Sequence, residues 1–197
     1  MNAPHTQRRH RAWRLPDDVD TDQLAPGATM KFGIDVIARH CLQAVRPEFA
    51  SSVQPGDVVV AGRNFGIGSS REQAAQALVQ LGVAAVIAQS FGGLFFRNAV
   101  NVGLLPIVCA HADRIDDGER ITFDAAAGRI ERECGETLGC EPLPEFMLEL
   151  IRDGGLLPQL RRRFAQRAAA PPADRPDAAR SPAPDRGAAA DSEENQR

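Results

Sequence analysis

The chain has 197 residues, a hydrophobic fraction of 43%, a charged fraction of 25% and a formal net charge of −3. That length suits one compact domain with an extension, and the slightly acidic balance leaves no basic footprint for nucleic acid. No apolar run reaches the roughly 18–20 residues of a membrane span, and the Arg-rich start (Arg8, Arg9, Arg11, Arg14) lacks the apolar core of a secretory signal. A cytoplasmic protein with no membrane partner is expected.

Residues 1–9 read as a flexible N-terminus, 10–164 as one folded domain and 165–197 as a tail. The tail combines Ala, Pro, Arg and Asp with almost no large apolar side chain, so it cannot bury enough surface to offset ordering and is expected to be disordered. Within the domain, 10–15 reads as a short strand and 16–33 as a loop rich in turn formers. Residues 34–42 have helical spacing, with Ile34, Ile37, Ala38 and Cys41 on one face. Pro55-Gly56 marks a turn before a strand at 57–61. A glycine loop follows at 62–72, then a helix at 74–81, a buried strand at 84–88, a helix at 92–102 and another strand at 104–109. This rhythm predicts an α/β sheet core. Residues 121–123 and 129–131 read as a hairpin, and 144–152 and 156–164 as C-terminal helices parted by Gly154-Gly155.

The glycine loop, Gly62-Arg63-Asn64-Phe65-Gly66-Ile67-Gly68-Ser69-Ser70-Arg71-Glu72, carries the most chemistry. A strand that opens into a helix through glycines offers free N–H groups and a positive dipole end to an anion. No lysine follows the glycines as in a P-loop, and the third glycine of a dinucleotide fingerprint is missing. Ser69-Ser70-Arg71-Glu72 also fits a capping box, with Ser69 as the cap and Glu72 reaching back. That reading leaves Ser70 and Arg71 without a task.

Asp18, Asp20 and Asp22 alternate in the loop at 18–22, but Lys31-Phe32 stands where further calcium ligands should be. They are expected as solvated turn carboxylates. Cys41, Cys109, Cys134 and Cys140 form no C-x-x-C pair or common zinc spacing. They read as buried or incidental thiols, and no metal site is expected in this chain.

The segments DVDTDQLAP (18–26), PGDVVVAGRNFGIGSSREQA (55–74), GVAAVIAQSF (82–91) and FFRNAVNVGLLPI (95–107) together bring a family into view. The chain resembles the small subunits of isopropylmalate isomerase (3-isopropylmalate dehydratase), which are similar to the swivelling C-terminal domain of aconitase. The resemblance implies a single three-layer β/β/α domain of the α/β class. It also implies a large dehydratase subunit as partner, carrying a 4Fe–4S cluster, a small hydroxy-dicarboxylate substrate and a place in leucine biosynthesis. Ser69 matches the serine that takes the Cα proton. Arg71 matches the carboxylate clamp, with Ser70 adding a hydrogen bond, and Thr21 and Asp22 match the family's active-site D-T-D loop.

Two departures stand out. Ile67 replaces a cysteine common in small subunits, and Thr29-Met30-Lys31-Phe32 replaces a Tyr-Leu-Arg-Thr stretch whose arginine is tied to isopropylmalate recognition. Lys31 keeps the charge without the bidentate fork, and Met30 and Phe32 are candidates for an alkyl pocket or for ordinary loop packing. The expected substrate is 2-isopropylmalate, with dimethylmalate, citraconate or another 2-alkylmalate as the alternative. A reading of another class is a non-catalytic carboxylate-binding regulatory module built on the same loop.

Overall fold

Four short strands build the parallel half of a sheet, β1 (His10–Arg14), β2 (Val58–Ala61), β3 (Ala85–Ala88) and β4 (Leu105–Val108), the last three formed by apolar runs. Three antiparallel strands extend it, β5 (Arg120–Asp124), β6 (Arg129–Glu131) and β7 (Thr137–Gly139), in the order β4-β3-β2-β1-β5-β6-β7. The structure, a computed structural model, describes residues 8–169.

Alternation along the parallel strands sorts side chains onto two faces. Trp13, Val59, Ala61, Val86 and Ala88 share one core with Ile37, Ala38, Ala74, Leu78, Phe95 and Ala99. These last come from three helices, α2 (Ile34–Arg39), α4 (Glu72–Gln80) and α5 (Gly93–Asn101). Here α1 (Thr21–Leu24) and α3 (Phe49–Ser52) are single turns in connecting segments. On the opposite face Ala12, Val58, Val60, Ala85, Ile87 and Ile107 pack against Ile121, Ile130 and Leu138 of the antiparallel strands. Helices, parallel strands and curled antiparallel strands therefore form the three layers of a β/β/α domain. Each fully buried Val, Ile or Leu in these cores contributes about 1.5–3 kcal/mol relative to exposure.

The curl nearly closes the sheet. The chain leaving β7 meets the far edge, where the Glu141 N–H donates to the Val108 carbonyl at 2.8 Å. Arg132 pins the turn between β6 and β7 through ion pairs with Glu119 at 2.8 Å, Asp116 at 3.0 Å and Glu136 at 3.0 Å. Buried Asp57 is satisfied by Trp13 Nε1 at 2.8 Å and the Gln54 N–H at 3.0 Å.

The C-terminal helices are α6 (Glu145–Arg152) and α7 (Leu156–Ala169). Helix α7 runs past the boundary expected at 164. Of the tail expected to be disordered over 165–197, residues 165–169 belong to α7 and 170–197 lie outside the described residues; of the N-terminus expected to be flexible over 1–9, residues 1–7 lie outside them. Five elements went unread in the sequence: α1, the 3-10 turn Gly27–Phe32, α3, the 3-10 turn Ala112–Arg114 and β7. They are too short to show periodicity. No helix among the described residues is long and apolar enough to cross a membrane.

Candidate active site

Three loops leave the carboxyl ends of β1, β2 and β3 side by side, the position at which open α/β sheets bind ligands. The middle one is the glycine loop. On one side the Gly66 N–H donates to Val19 O at 2.7 Å and the Thr21 N–H to Ile67 O at 2.9 Å. On the other, Phe65 N–H donates to Ser90 O at 3.0 Å and Gly92 N–H to Phe65 O at 2.8 Å. Parallel bridges Asp20–Ile67 and Phe65–Phe91 continue the strand ladder into the loops. Phe65, Phe91 and Phe95 pack beneath, with ring centroids 5.1–6.3 Å apart.

Two glycines make this path possible. Gly66 has φ +75°, and a Cβ there would sit 2.2 Å from Phe95 Cγ. Gly68 has φ +105°, and a Cβ would approach Thr21 Oγ1 to 3.0 Å. Only glycine takes such angles readily.

The capping-box expectation for Ser69 is overturned. Helix α4 begins at Glu72, its N-cap position is Arg71, and no side chain caps it. Ser69 lies three residues before the helix, held through its backbone N–H to Thr21 Oγ1 at 3.0 Å. The Ser70 carbonyl accepts from Asn98 Nδ2 at 3.1 Å. Both serines are exposed, and these bonds leave their hydroxyls to solvent.

The acidic residues are not free turn carboxylates. Asp18 accepts from Asn64 Nδ2 at 2.8 Å, and both residues adopt left-handed backbone angles, φ 57° and 58°. Asp20 caps α1 in a reciprocal box with Gln23: the Gln23 N–H donates to Asp20 Oδ1 at 2.8 Å, and the Asp20 N–H to Gln23 Oε1 at 2.9 Å. The D-x-x-Q spacing is a legible signal for this box. Asp22 pairs with Arg71 Nη1, which also donates to Ala25 O at 3.3 Å. Beside them, Asp17 chelates Arg63, whose backbone N–H and then guanidinium hold the Asp17 carboxyl below the usual range.

Ser69, Ser70, Arg71, Thr21 and Asp22 are thus brought together. Thr21 is 1% exposed, so its side chain supports the loop rather than the surface. Asp22 and the Ala25 carbonyl both engage Arg71 Nη1, and among the described residues Nη2 and Nε make no hydrogen bond. Lys31 is exposed with its Nζ 4.9 Å from the Phe32 ring, and no hydrogen bond or ion pair joins it to the others. Met30 packs on the helix-side core while Phe32 is exposed, which divides the two candidates for an alkyl pocket. Asn98 carried no role in the sequence reading; an amide on a helix face gives no signal until the fold sets it beside Ser70.

A family model described as the aconitase C-terminal domain matches residues 45–112. The "Methanogen homoaconitase small subunit" of Methanothermobacter thermautotrophicus is 47% identical over 151 residues, covering 76% of this chain and 88% of that one. The "3-isopropylmalate dehydratase small subunit" of Methanosarcina mazei is 45% identical over 159 residues, covering 80% and 98%.

The chain belongs to this family of dehydratase small subunits.

The crystal structure of a 3-isopropylmalate dehydratase from Methanocaldococcus jannaschii agrees in fold, with a TM-score of 0.76 and 40% identity over 81% of this chain and 96% of that one. As a family member the chain is one subunit of an aconitase-type hydro-lyase that acts as a heteromer. Among the described residues, no three His, Cys, Asp or Glu side chains converge on a metal position. Cys41 and Cys109 are buried, Cys134 is exposed and Cys140 partly so. Burial raises the Cys41 thiol far above its ordinary value. This donor set does not fit an iron–sulfur cluster. The serine loop is an open surface, while two apolar concavities of about 520 and 550 Å³ flank α7. Neither concavity includes Ser69, Ser70 or Arg71 in its lining. Among the described residues, the serine loop is thus exposed and lies outside both concavities.

Proposed function

We propose that this chain is the small subunit of a 3-isopropylmalate dehydratase, which interconverts 2- and 3-isopropylmalate by dehydration and rehydration in leucine biosynthesis in the cytoplasm. The juxtaposition that carries this reading is Ser69-Ser70-Arg71 at the head of α4, with Arg71 anchored by Asp22. Ser69 Oγ takes the proton from the substrate carbon next to the carboxylate. A serine hydroxyl is a poor base near neutrality, and the helix dipole, the unpaired first-turn N–H groups and Arg71 together lower the cost of its alkoxide. The free edge of Arg71 clamps a substrate carboxylate in bidentate fashion, and Ser70 donates to the same group. Thr21 and Asp22 position Ser69 and Arg71. The 4Fe–4S cluster is assigned to the large subunit, in keeping with the scattered cysteines among the described residues.

Specificity is assigned to the segment at 29–32, with Lys31 contacting the second carboxylate of the substrate. A second reading, the homoaconitase reaction, is favoured by the 47% identity to a subunit of that name. Other 2-alkylmalates, such as 2,3-dimethylmalate, stand behind it. Co-expression with a large subunit, followed by kcat/KM on a panel of these acids, tests the assignment. The highest value for isopropylmalate, with Lys31→Ala changing the ranking but not the melting temperature, supports it. Turnover of none of these acids, or metabolite binding by the isolated chain without turnover in any assembly, overturns it.

A further inference from the structure

The seam where the sheet nearly closes holds two thiols. Cys109 directly follows β4 and Cys140 directly follows β7, the two edge strands of the seven. The residues beside them are bonded across the seam, Glu141 N–H to Val108 O at 2.8 Å. Cys109 Sγ lies 3.6 Å from Gly139 O, the carbonyl preceding Cys140. Both side chains pack into the same inner core, beside Ile107 and Leu138. A disulfide needs Cα atoms about 4.4–6.8 Å apart with Cβ vectors converging, and the bond between the neighbouring residues and the approach of Cys109 Sγ to the carbonyl preceding Cys140 set the two thiols beside each other across the seam.

We propose that Cys109 and Cys140 form a redox modification site, oxidised by a low-molecular-weight disulfide to a cross-link that staples the two edges of the sheet. Cys140, the more exposed of the pair, reacts first. Its thiolate attacks one sulfur of glutathione disulfide, breaking that S–S bond and releasing a glutathione thiolate. The Cys109 thiolate then attacks Cys140 Sγ, displacing the second glutathione. Two protein thiols lose two protons and two electrons, and the electrons reduce the glutathione disulfide to two thiols. Burial pushes the Cys140 thiol up to about 11, with Cys109 and Asp124 facing it. Cys109 is raised for the same reason, with Asp113 facing it and the His111 backbone opposing the shift. The pair is therefore held as thiols at neutral pH and closes faster as pH rises, about tenfold per unit between pH 7 and 9.

The test treats the folded, full-length chain with glutathione disulfide at pH 9, alkylates under denaturing conditions and maps peptides without reduction. The expected result is one linked Cys109–Cys140 peptide pair with Cys41 alkylated. A melting temperature about 5–10 °C higher accompanies it and reverts on adding dithiothreitol. Cys140→Ser, at the more exposed position, yields neither the link nor the shift. A Cys134–Cys140 link overturns the proposal. So does glutathione retained on Cys140 with Cys109 still alkylated, or failure of Cys140 to react.

Discussion

Arg71 Nη1 is paired with Asp22 Oδ1 across 49 residues of sequence, joining the head of α4 to the first turn after β1. The pair occupies Nη1 alone and ties the acidic loop to the segment that carries Ser69 and Ser70.

Removing the anchor should therefore cost activity more than stability. Asp22→Ala removes a side chain that is 63% exposed, so the melting temperature should hardly move, while kcat/KM of the assembled enzyme should fall about 10–100-fold through misplacement of Arg71. Arg71→Lys should lose about 10–150-fold, the worth of a charged hydrogen bond. Equal activity of Asp22→Ala and the parent would remove Asp22 from the site.

Ser69→Ala separates chemistry from structure. Since Ser69 does not cap α4, stability should stay within about 0.5 kcal/mol while kcat falls about 10²–10⁴-fold. Thr21→Val removes the acceptor for the Ser69 N–H and should cost about 1–3 kcal/mol in chemical denaturation. Thr21→Ser, which keeps the oxygen, should restore most of that loss.

Gly68→Ala forces a side chain into φ +105° and against Thr21 Oγ1. A loss of about 1–3 kcal/mol is expected from strain at that angle, together with a drop in kcat as the Ser69 backbone shifts. A variant with full activity and stability would mean that the loop tolerates a different path.

The fold carries an acid-sensitive clasp away from the site. Arg46 chelates Asp117 at 2.6 and 2.8 Å, bonds the Arg14 carbonyl at 3.0 Å and lies 4.7 Å over the Trp13 ring. The guanidinium lowers the Asp117 carboxyl from 3.8 to about 2. A depressed folded value means that the contribution is complete above about pH 4 and is lost as pH falls toward 2. The difference in melting temperature between the parent and Asp117→Asn should be constant from pH 5 to 7 and shrink toward zero at pH 2. A gap that is unchanged at pH 2 would assign the effect to packing instead.

The sequence by itself determined the α/β rhythm, the glycine loop and the family, because these rest on local period and on residue types at short spacing. The strands at 57–61, 84–88 and 104–109 were legible as short apolar runs and the helices at 74–81 and 92–102 by one apolar face, and their boundaries moved by only a residue or two. Ser69, Ser70 and Arg71 were legible as candidates because they sit together in one short motif after the glycines. What the residues do to one another was decided by the tertiary structure. The spacing Ser69-x-x-Glu72 promised a cap, yet α4 starts at Glu72, because the Ser69 N–H is drawn to Thr21 across 48 residues. Asp18, Asp20 and Asp22 look alike in the chain, and the fold gives them Asn64, Gln23 and Arg71 as separate partners. Asn98 and the facing pair Cys109 and Cys140 were invisible until a curled sheet brought distant segments together. Local propensity is written in neighbouring residues, whereas the partner of a charge or thiol depends on where the chain returns.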